Sequence, residues 1–416
     1  MGENNINDLG TILVVDDEKS ILDALVREFS FHNFTVYTAG TAGRALAELA
    51  QHEIDIILTD YRMPKTDGMQ LLRQVKAEYP EVVRLVFSGF LDRNILMRSL
   101  TNGWASTFFT KPWDKNTLQQ KIARIMRIKK QVTKPGLFRI LNSISQLPTF
   151  PSRHKKYLEC VQAGKGAQRI LRVVEKDPAF AVKIMQVANS VFFGEKRITS
   201  VAEALDLLDY GCLKDMDVTP QGENEKPLPE EDRVLLRDIF VHSGLMGMYV
   251  PFFYRAFFGE TEEKYFPSLG IIHDVGRIIT LLYLPGQYHT IEVHRRENPF
   301  KSYSQHESEL GYRDTAYSLI GMYFLDLWNL PYKYLDVIGG RHTQADTDTE
   351  SGRLCCALDY TDRLLSILRA GSAGAAADLQ EFHSHGISPA VLEKAVSAIT
   401  RDRGELEREL DTDSTA

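Results

Sequence analysis

The chain has 416 residues, 44% hydrophobic and 25% charged, with a formal net charge of -7. That length calls for two or three domains of ordinary globular composition. The acidic balance argues against nucleic acid or an anionic membrane as partner, and no apolar run reaches the length of a bilayer span. The polar opening Met1-Gly2-Glu3-Asn4-Asn5 does not read as a secretory signal, and the four cysteines lack CxxC spacing. A cytoplasmic protein with reduced thiols is the expectation.

Strands are expected at 11–15, 35–39, 54–59, 83–88 and 105–110, alternating with helices at 20–31, 42–51, 66–78, 92–102 and 115–132. Such alternation predicts a doubly wound, five-stranded parallel sheet. The strand-like runs end in polar groups: Asp16-Asp17 after Ile12-Leu13-Val14-Val15, Asp60 after Ile56-Ile57-Leu58-Thr59, Ser88 after Val86-Phe87, and Lys111-Pro112 after Phe108-Phe109-Thr110. In an open α/β sheet, the carboxyl ends of the strands line one crevice. Acids, a hydroxyl and a lysine would meet there.

That set fits a phosphoryl acceptor. Asp16, Asp17 and Asp60 offer oxygen ligands suited to Mg²⁺. Lys111 balances the remaining charge, and Ser88 can donate to a phosphoryl oxygen. Phe108 lies near enough to move with the Ser88 loop, which makes a local charge change into a two-position switch. Taken singly, each of these residues reads as an ordinary loop acid or its surface partner; the set is what carries the signal.

Asp16, Asp17, Asp60, Ser88, Lys111 and Pro112, with the stretch Arg62-Met63-Pro64-Lys65-Thr66-Asp67-Gly68, resemble the receiver domain of bacterial two-component response regulators. The resemblance covers roughly the first 130 residues. It implies a flavodoxin-like fold, Asp60 as the aspartate phosphorylated by a histidine kinase, the Arg62 carbonyl as a further Mg²⁺ ligand, and a cis bond at Lys111-Pro112. Trp104, after Gly103, departs from the small residue commoner at that place.

Lys134-Pro135-Gly136 breaks the alternation. Beyond it the patterns are helical. Asp177-Pro178 reads as an N-cap with an N1 proline, and Ser200-Val201-Ala202-Glu203 and Ser304-Gln305-His306-Glu307 read as capping boxes. Gly311 is placed as a C′ residue. Val218 to Glu231 reads as a polar insertion, Gly371 to Ala377 as a spacer, and Ser388-Pro389 as the start of a last helix with a frayed tail after it. Tyr249-Val250-Pro251-Phe252-Phe253-Tyr254 is expected in a helix core. His289, His294 and His306, in polar surroundings, are expected on the surface.

Lys176-Asp177-Pro178-Ala179, Val187 to Gly194, His242-Ser243, Gly270-Ile271-Ile272-His273-Asp274-Val275-Gly276-Arg277 and Leu327-Trp328-Asn329-Leu330-Pro331 resemble the HDOD domain, a degenerate relative of HD-type metal phosphohydrolases. The resemblance implies a vestigial HD site of His242, His273, Asp274 and Asp362, with room for a residual transition metal. Thr315 and Arg341-His342 stand where the enzymes' pattern suggests further histidines. Threonine is a poor ligand and arginine repels a cation, so two-metal hydrolysis lacks its ligand set.

The expected organisation is a receiver at 9–132, a connector at 133–145, an all-helical HDOD-like domain at 146–370 and a C-terminal spacer and helix at 371–416. The expected function is a phosphorylation-controlled response regulator. Its helical output would bind a downstream signalling protein or sense a ligand without catalysis, alone or as a homodimer. The alternative is a phosphorylation-controlled phosphohydrolase acting on a cyclic nucleotide or related phosphoester.

Overall fold

The computed structural model describes residues 9–64, 67–89, 93–132, 134, 136–190, 193–194, 197–216, 218, 228–259, 263–298, 301–340, 346–370 and 387–411. Lys65-Thr66, Val191-Phe192, Arg341-His342, most of the Val218 to Glu231 insertion, the Gly371 to Ala377 spacer and the tail after Asp411 lie outside them. The chain divides into two compact units. One comprises Met1–Ser145 with Asn189–Lys196 and Asp326–Asn329; the other comprises Gln146–Ala188, Arg197–Leu325 and Leu330–Ala416.

In the first unit, the apolar runs Ile12-Leu13-Val14-Val15, Ile56-Ile57-Leu58 and Leu85-Val86-Phe87 leave no polar face and must be covered on both sides, whereas the edge strand Phe34–Ala39 keeps Thr35 and Thr38 exposed. The strands are β1 (Gly10–Val15), β2 (Phe34–Ala39), β3 (Ile56–Asp60), β4 (Val83–Ser88) and β5 (Thr107–Thr110). All pair in parallel, in the order β2-β1-β3-β4-β5. Helices α1 (Lys19–Ser30), α2 (Ala42–Gln51), α3 (Gly68–Glu78), α4 (Arg93–Thr101) and α5 (Lys115–Gln131) alternate with the strands. This is the flavodoxin-like order, whose switch point lies between β1 and β3. Register places Val15 beside Thr59 and Asp60 beside Phe87, so the polar strand ends come out level.

The stretch expected as a connector carries a further helix, α6 (Leu137–Ser143). Arg84 of β4, only 1% exposed, explains how that helix is held. Its guanidinium donates to the carbonyls of Val82, Gly103, Trp104 and Asn142. The Asn142 amide donates in turn to the Glu81 carbonyl at 2.9 Å. A charge this deeply buried is tolerable only when its donors are used.

The second unit is helical, with no strand among its described residues. Asp177 caps the helix Pro178–Ala188, its carboxylate accepting from the Phe180 amide at 3.1 Å. Ser200 accepts from the Glu203 amide, while the Glu203 carboxylate reaches back to the Thr199 amide. The second expected capping box sits two residues earlier than the sequence suggested. Ser302 and Gln305 form it, and the helix they open is Tyr303–Glu309, which ends before Gly311 at φ 81°. Serines at 302 and 304 offer the same local signal, and the register of Tyr303, buried at 1% exposure, decides between them.

The long helix Glu230–Phe258 and the short helix Phe266–Ile272 approach closely at Gly270. A Cβ there would lie 2.6 Å from the Met246 carbonyl oxygen, so only glycine permits this crossing. Tyr249, Val250, Phe253 and Tyr254 are buried, as expected of a core, while Phe252 is exposed. No described helix is long and apolar enough to cross a membrane.

Candidate functional site

The ends of β1, β3, β4 and β5 assemble the first site. Asp16, Asp17 and Asp60 each present a carboxylate oxygen within 4.8 Å of the other two. Asp16 and Asp60 are buried, and Asp17 is exposed. The Lys111 ammonium lies 2.6 Å from Asp16 Oδ2 and 2.9 Å from Asp60 Oδ1. The Glu18 amide donates to the second Asp16 oxygen at 2.9 Å, which fixes that carboxylate's orientation. The Lys111 amide donates to the Ser88 carbonyl, tying the β4 and β5 ends together, and the Lys111-Pro112 bond is cis.

Burial raises the Asp60 pKa and the Asp16 charge adds to it, against the lowering effect of Lys111. Burial works to lower the Lys111 pKa, but its hydrogen bonds to Asp16 and Asp60 prevail and raise it. Crowded acids of this kind, with hard oxygen donors and one exposed member, match the preferences of Mg²⁺. Ser88 and Phe108 are both 3% exposed. Arg62 is exposed, two residues past Asp60. Gly68 was legible only as part of a loop. A Cβ at that position would lie 2.0 Å from the Asp60 carbonyl oxygen, so glycine is needed for α3 to start against β3. Trp104 lies under the Arg73 guanidinium, 3.7 Å from its ring centre.

The second site lies in the helical unit. His242 Nε2 is 3.3 Å from Asp274 Oδ2 and 3.2 Å from Asp362 Oδ1. His273 Nε2 is 3.1 Å from Asp274 Oδ1, and its Nδ1 is 2.7 Å from the Gly270 carbonyl. A carbonyl only accepts, so Nδ1 carries a proton, and Nε2 faces the Asp274 carboxylate. The four residues expected to meet therefore do meet, and His242, His273 and Asp274 are close enough to share one ion. Sequence reasoning quoted Arg277 but gave it no role. It donates to Asp274 Oδ2 at 2.8 Å and approaches Glu292 at 3.8 Å. Glu292 also pairs with Arg295 and Arg369. The sequence separation of these partners gives no pattern to read, although Asp274 and Arg277 at i,i+3 were a usable signal.

Burial works to raise the Asp274 pKa; His273, Arg277 and His242 outweigh it and hold the carboxyl down at about 2. The same contest, won by Arg295, Arg277 and Arg369, holds Glu292 at about 2. Thr315 is buried and turns its carbonyl to the Gln287 amide at 2.9 Å.

The expectation of surface histidines fails at His306, while His289 and His294 are half-buried. His306 is 0% exposed and faces His294, Nδ1 to Nδ1, at 2.9 Å. His289 is half-buried and bonded to Asp232 at 2.6 Å. Polar neighbours in sequence hid these positions, because a helix buries one face while its flanking residues stay in water.

A 2-1-3-4-5 parallel sheet with clustered acids at its carboxyl edge defines a signalling receiver, here followed by a helical domain. The family comparisons agree. The response regulator receiver domain model matches residues 12–123, and the HDOD domain model matches residues 147–344. The chain therefore carries a response regulator receiver domain followed by an HDOD domain.

The hydrogenase transcriptional regulatory protein HoxA of Cupriavidus necator is 30% identical over 163 residues, which are 39% of this chain and 33% of the relative. The DNA-binding transcriptional regulator NtrC of Salmonella typhimurium is 32% identical over 105 residues, 25% of this chain and 22% of the relative. The chain thus spans a third or less of the length of these curated relatives. Among solved structures, the signal receiver domain of an HD domain-containing protein from Pseudomonas fluorescens is 28% identical, covers 30% of this chain and 98% of that one, and has a TM-score of 0.28. A CheY-like receiver from Methanospirillum hungatei is 27% identical, covers 30% and 98%, and has a TM-score of 0.29.

Proposed function

We propose that this is a cytoplasmic response regulator, that Asp60 accepts a phosphoryl group from a cognate histidine kinase and that the HDOD domain is its non-catalytic output. The observation that carries the reading is the placement of Lys111 on Asp60 Oδ1 beside Asp16 and Asp17. An Asp60 oxygen attacks phosphorus as the bond to the kinase histidine breaks, and the departing imidazole keeps the electron pair. Asp16, Asp17, Asp60 and the Arg62 carbonyl are the residues that would hold Mg²⁺, which supplies positive charge to the phosphoryl oxygens. Lys111 leaves its Asp60 contact for a phosphoryl oxygen, Ser88 donates to another, and Phe108 follows the β4 loop.

In the HDOD domain, Asp274 already serves His273, His242 and Arg277. Arg277 offsets its charge, which supports a role in binding a downstream protein or ligand. The proximity of His242, His273 and Asp274 favours the second reading, a metal-dependent phosphohydrolase.

Intact-mass measurement with Mg²⁺ and a small phosphodonor tests the acceptor. One added phosphoryl group is expected, absent in Asp60→Asn and absent after chelation; a shift that survives Asp60→Asn rules the assignment out. Turnover of cyclic nucleotides that depends on His273 would establish the second reading in place of a non-catalytic output.

A further inference from the structure

Outside both sites, the helix Pro285–Glu297 and the helix Tyr303–Glu309 bring His294, His306 and Glu309 together. One ligand atom from each lies within 4.8 Å of the others. We propose that these three residues form a divalent transition-metal site, with zinc as the ion the donors suit best. Two imidazoles and a carboxylate are a common zinc ligand set, leaving a fourth position to water.

Four observations carry the assignment. His306 is 0% exposed, and its Nε2 finds no hydrogen-bond partner in the structure. Its only polar outlet is therefore Nδ1, which faces His294 Nδ1 at 2.9 Å. The rings stand at 89° with centres 5.0 Å apart, so the two nitrogens converge edge to edge rather than stacking. One ring can donate its Nδ1–H to the other's lone pair there; an ion bound to both Nδ1 atoms would leave each ring's proton on Nε2.

Tetrahedral zinc with bonds of about 2.1 Å sets its donors about 3.4 Å apart, so the pair must open by roughly half an ångström. His294 sits near the end of its helix and is the partly exposed member, able to make that move. Glu309 is a turn along from His306, on the same helix. Lys301 holds Glu309 Oε1 at 2.7 Å, while Oε2 lies 4.0 Å from His294 Nε2. The lysine thus fixes one carboxylate oxygen and leaves the other near the far ring nitrogen of His294, so Glu309 or the His294 ring must turn for all three to reach one ion. The Ser302 and Gln305 capping box anchors the first turn that carries His306.

Equilibrium dialysis of the metal-stripped full chain with zinc, in excess Mg²⁺ and with the thiols blocked, tests the site. The comparison is with His294→Gln and Glu309→Gln, both at partly exposed positions, and with His273→Asn as a control for the other histidine cluster. The expected result is one zinc lost, or bound at least tenfold more weakly, in each of the first two variants and retained in the control. Zinc should also raise the melting temperature of the parent but not of His294→Gln. Equal zinc uptake by parent and both variants overturns the assignment, as does a parent that takes up none or whose zinc is lost only in His273→Asn.

Discussion

Lys111 holds two carboxylates at once, and that sets a conflict between stability of the resting site and its use. Its ammonium competes with any cation entering among Asp16, Asp17 and Asp60. Lys111→Ala is therefore expected to bind Mg²⁺ several-fold more tightly, because a positive charge leaves the cluster. Phosphorylation of the same variant is expected to slow by about a hundredfold, because a group that offsets the transferring charge is gone. Calorimetric Mg²⁺ titration and the initial rate of the mass shift check the two halves. Most of this site was legible because its residues mark the ends of apolar runs, where period and composition change abruptly. Arg277 and Glu292 were not legible as site residues. The i,i+3 spacing of Arg277 from Asp274 was a local signal, but the approach of Arg277 to Glu292 arises from helix packing, which no local spacing announces.

At the scale of elements, β4 and α6 are joined through Arg84. Replacing Arg84 with Met strips the carbonyls of Val82, Gly103, Trp104 and Asn142 of their donor. A loss of about 2–4 kcal/mol is expected in urea unfolding, with faster amide exchange over 137–143. The helices around Glu292 make a second case. Its carboxyl is held at about 2, below the ordinary value of 4.5. A depressed folded-state pKa contributes stability that is present above about pH 4.5 and is lost as pH falls toward 2. Glu292→Gln also leaves the buried Arg295 without its carboxylate, while Arg277 keeps Asp274 and Arg369 keeps Asp238, at a cost of about 3–5 kcal/mol at neutral pH. The stability gap between parent and variant should narrow as the pH falls through that window, which urea melts at several pH values will show. The central strands were readable because buried parallel strands are largely apolar, although the edge strand β2 keeps Thr35 and Thr38 in water. The capping box at Ser302 was misplaced by two residues because two serines carry the same signal, and only the burial of Tyr303 separates them.

For the whole molecule, the two halves differ in how much chemistry they retain. The receiver sheet sets acids, lysine and serine at one edge with a geometry suited to transfer. The helical unit keeps His242, His273, Asp274 and Asp362 together but spends the carboxylate on histidines and Arg277. A switch joined to an output of this kind requires that its chemistry run through one aspartate. Borohydride reduction of the phosphorylated chain, followed by peptide mass spectrometry, reads this directly, since reduction turns an aspartyl phosphate into homoserine. The account predicts homoserine at position 60, formed only when Mg²⁺ and phosphodonor are both supplied. Homoserine elsewhere, or label retained on a histidine of the helical unit with position 60 unchanged, would contradict it.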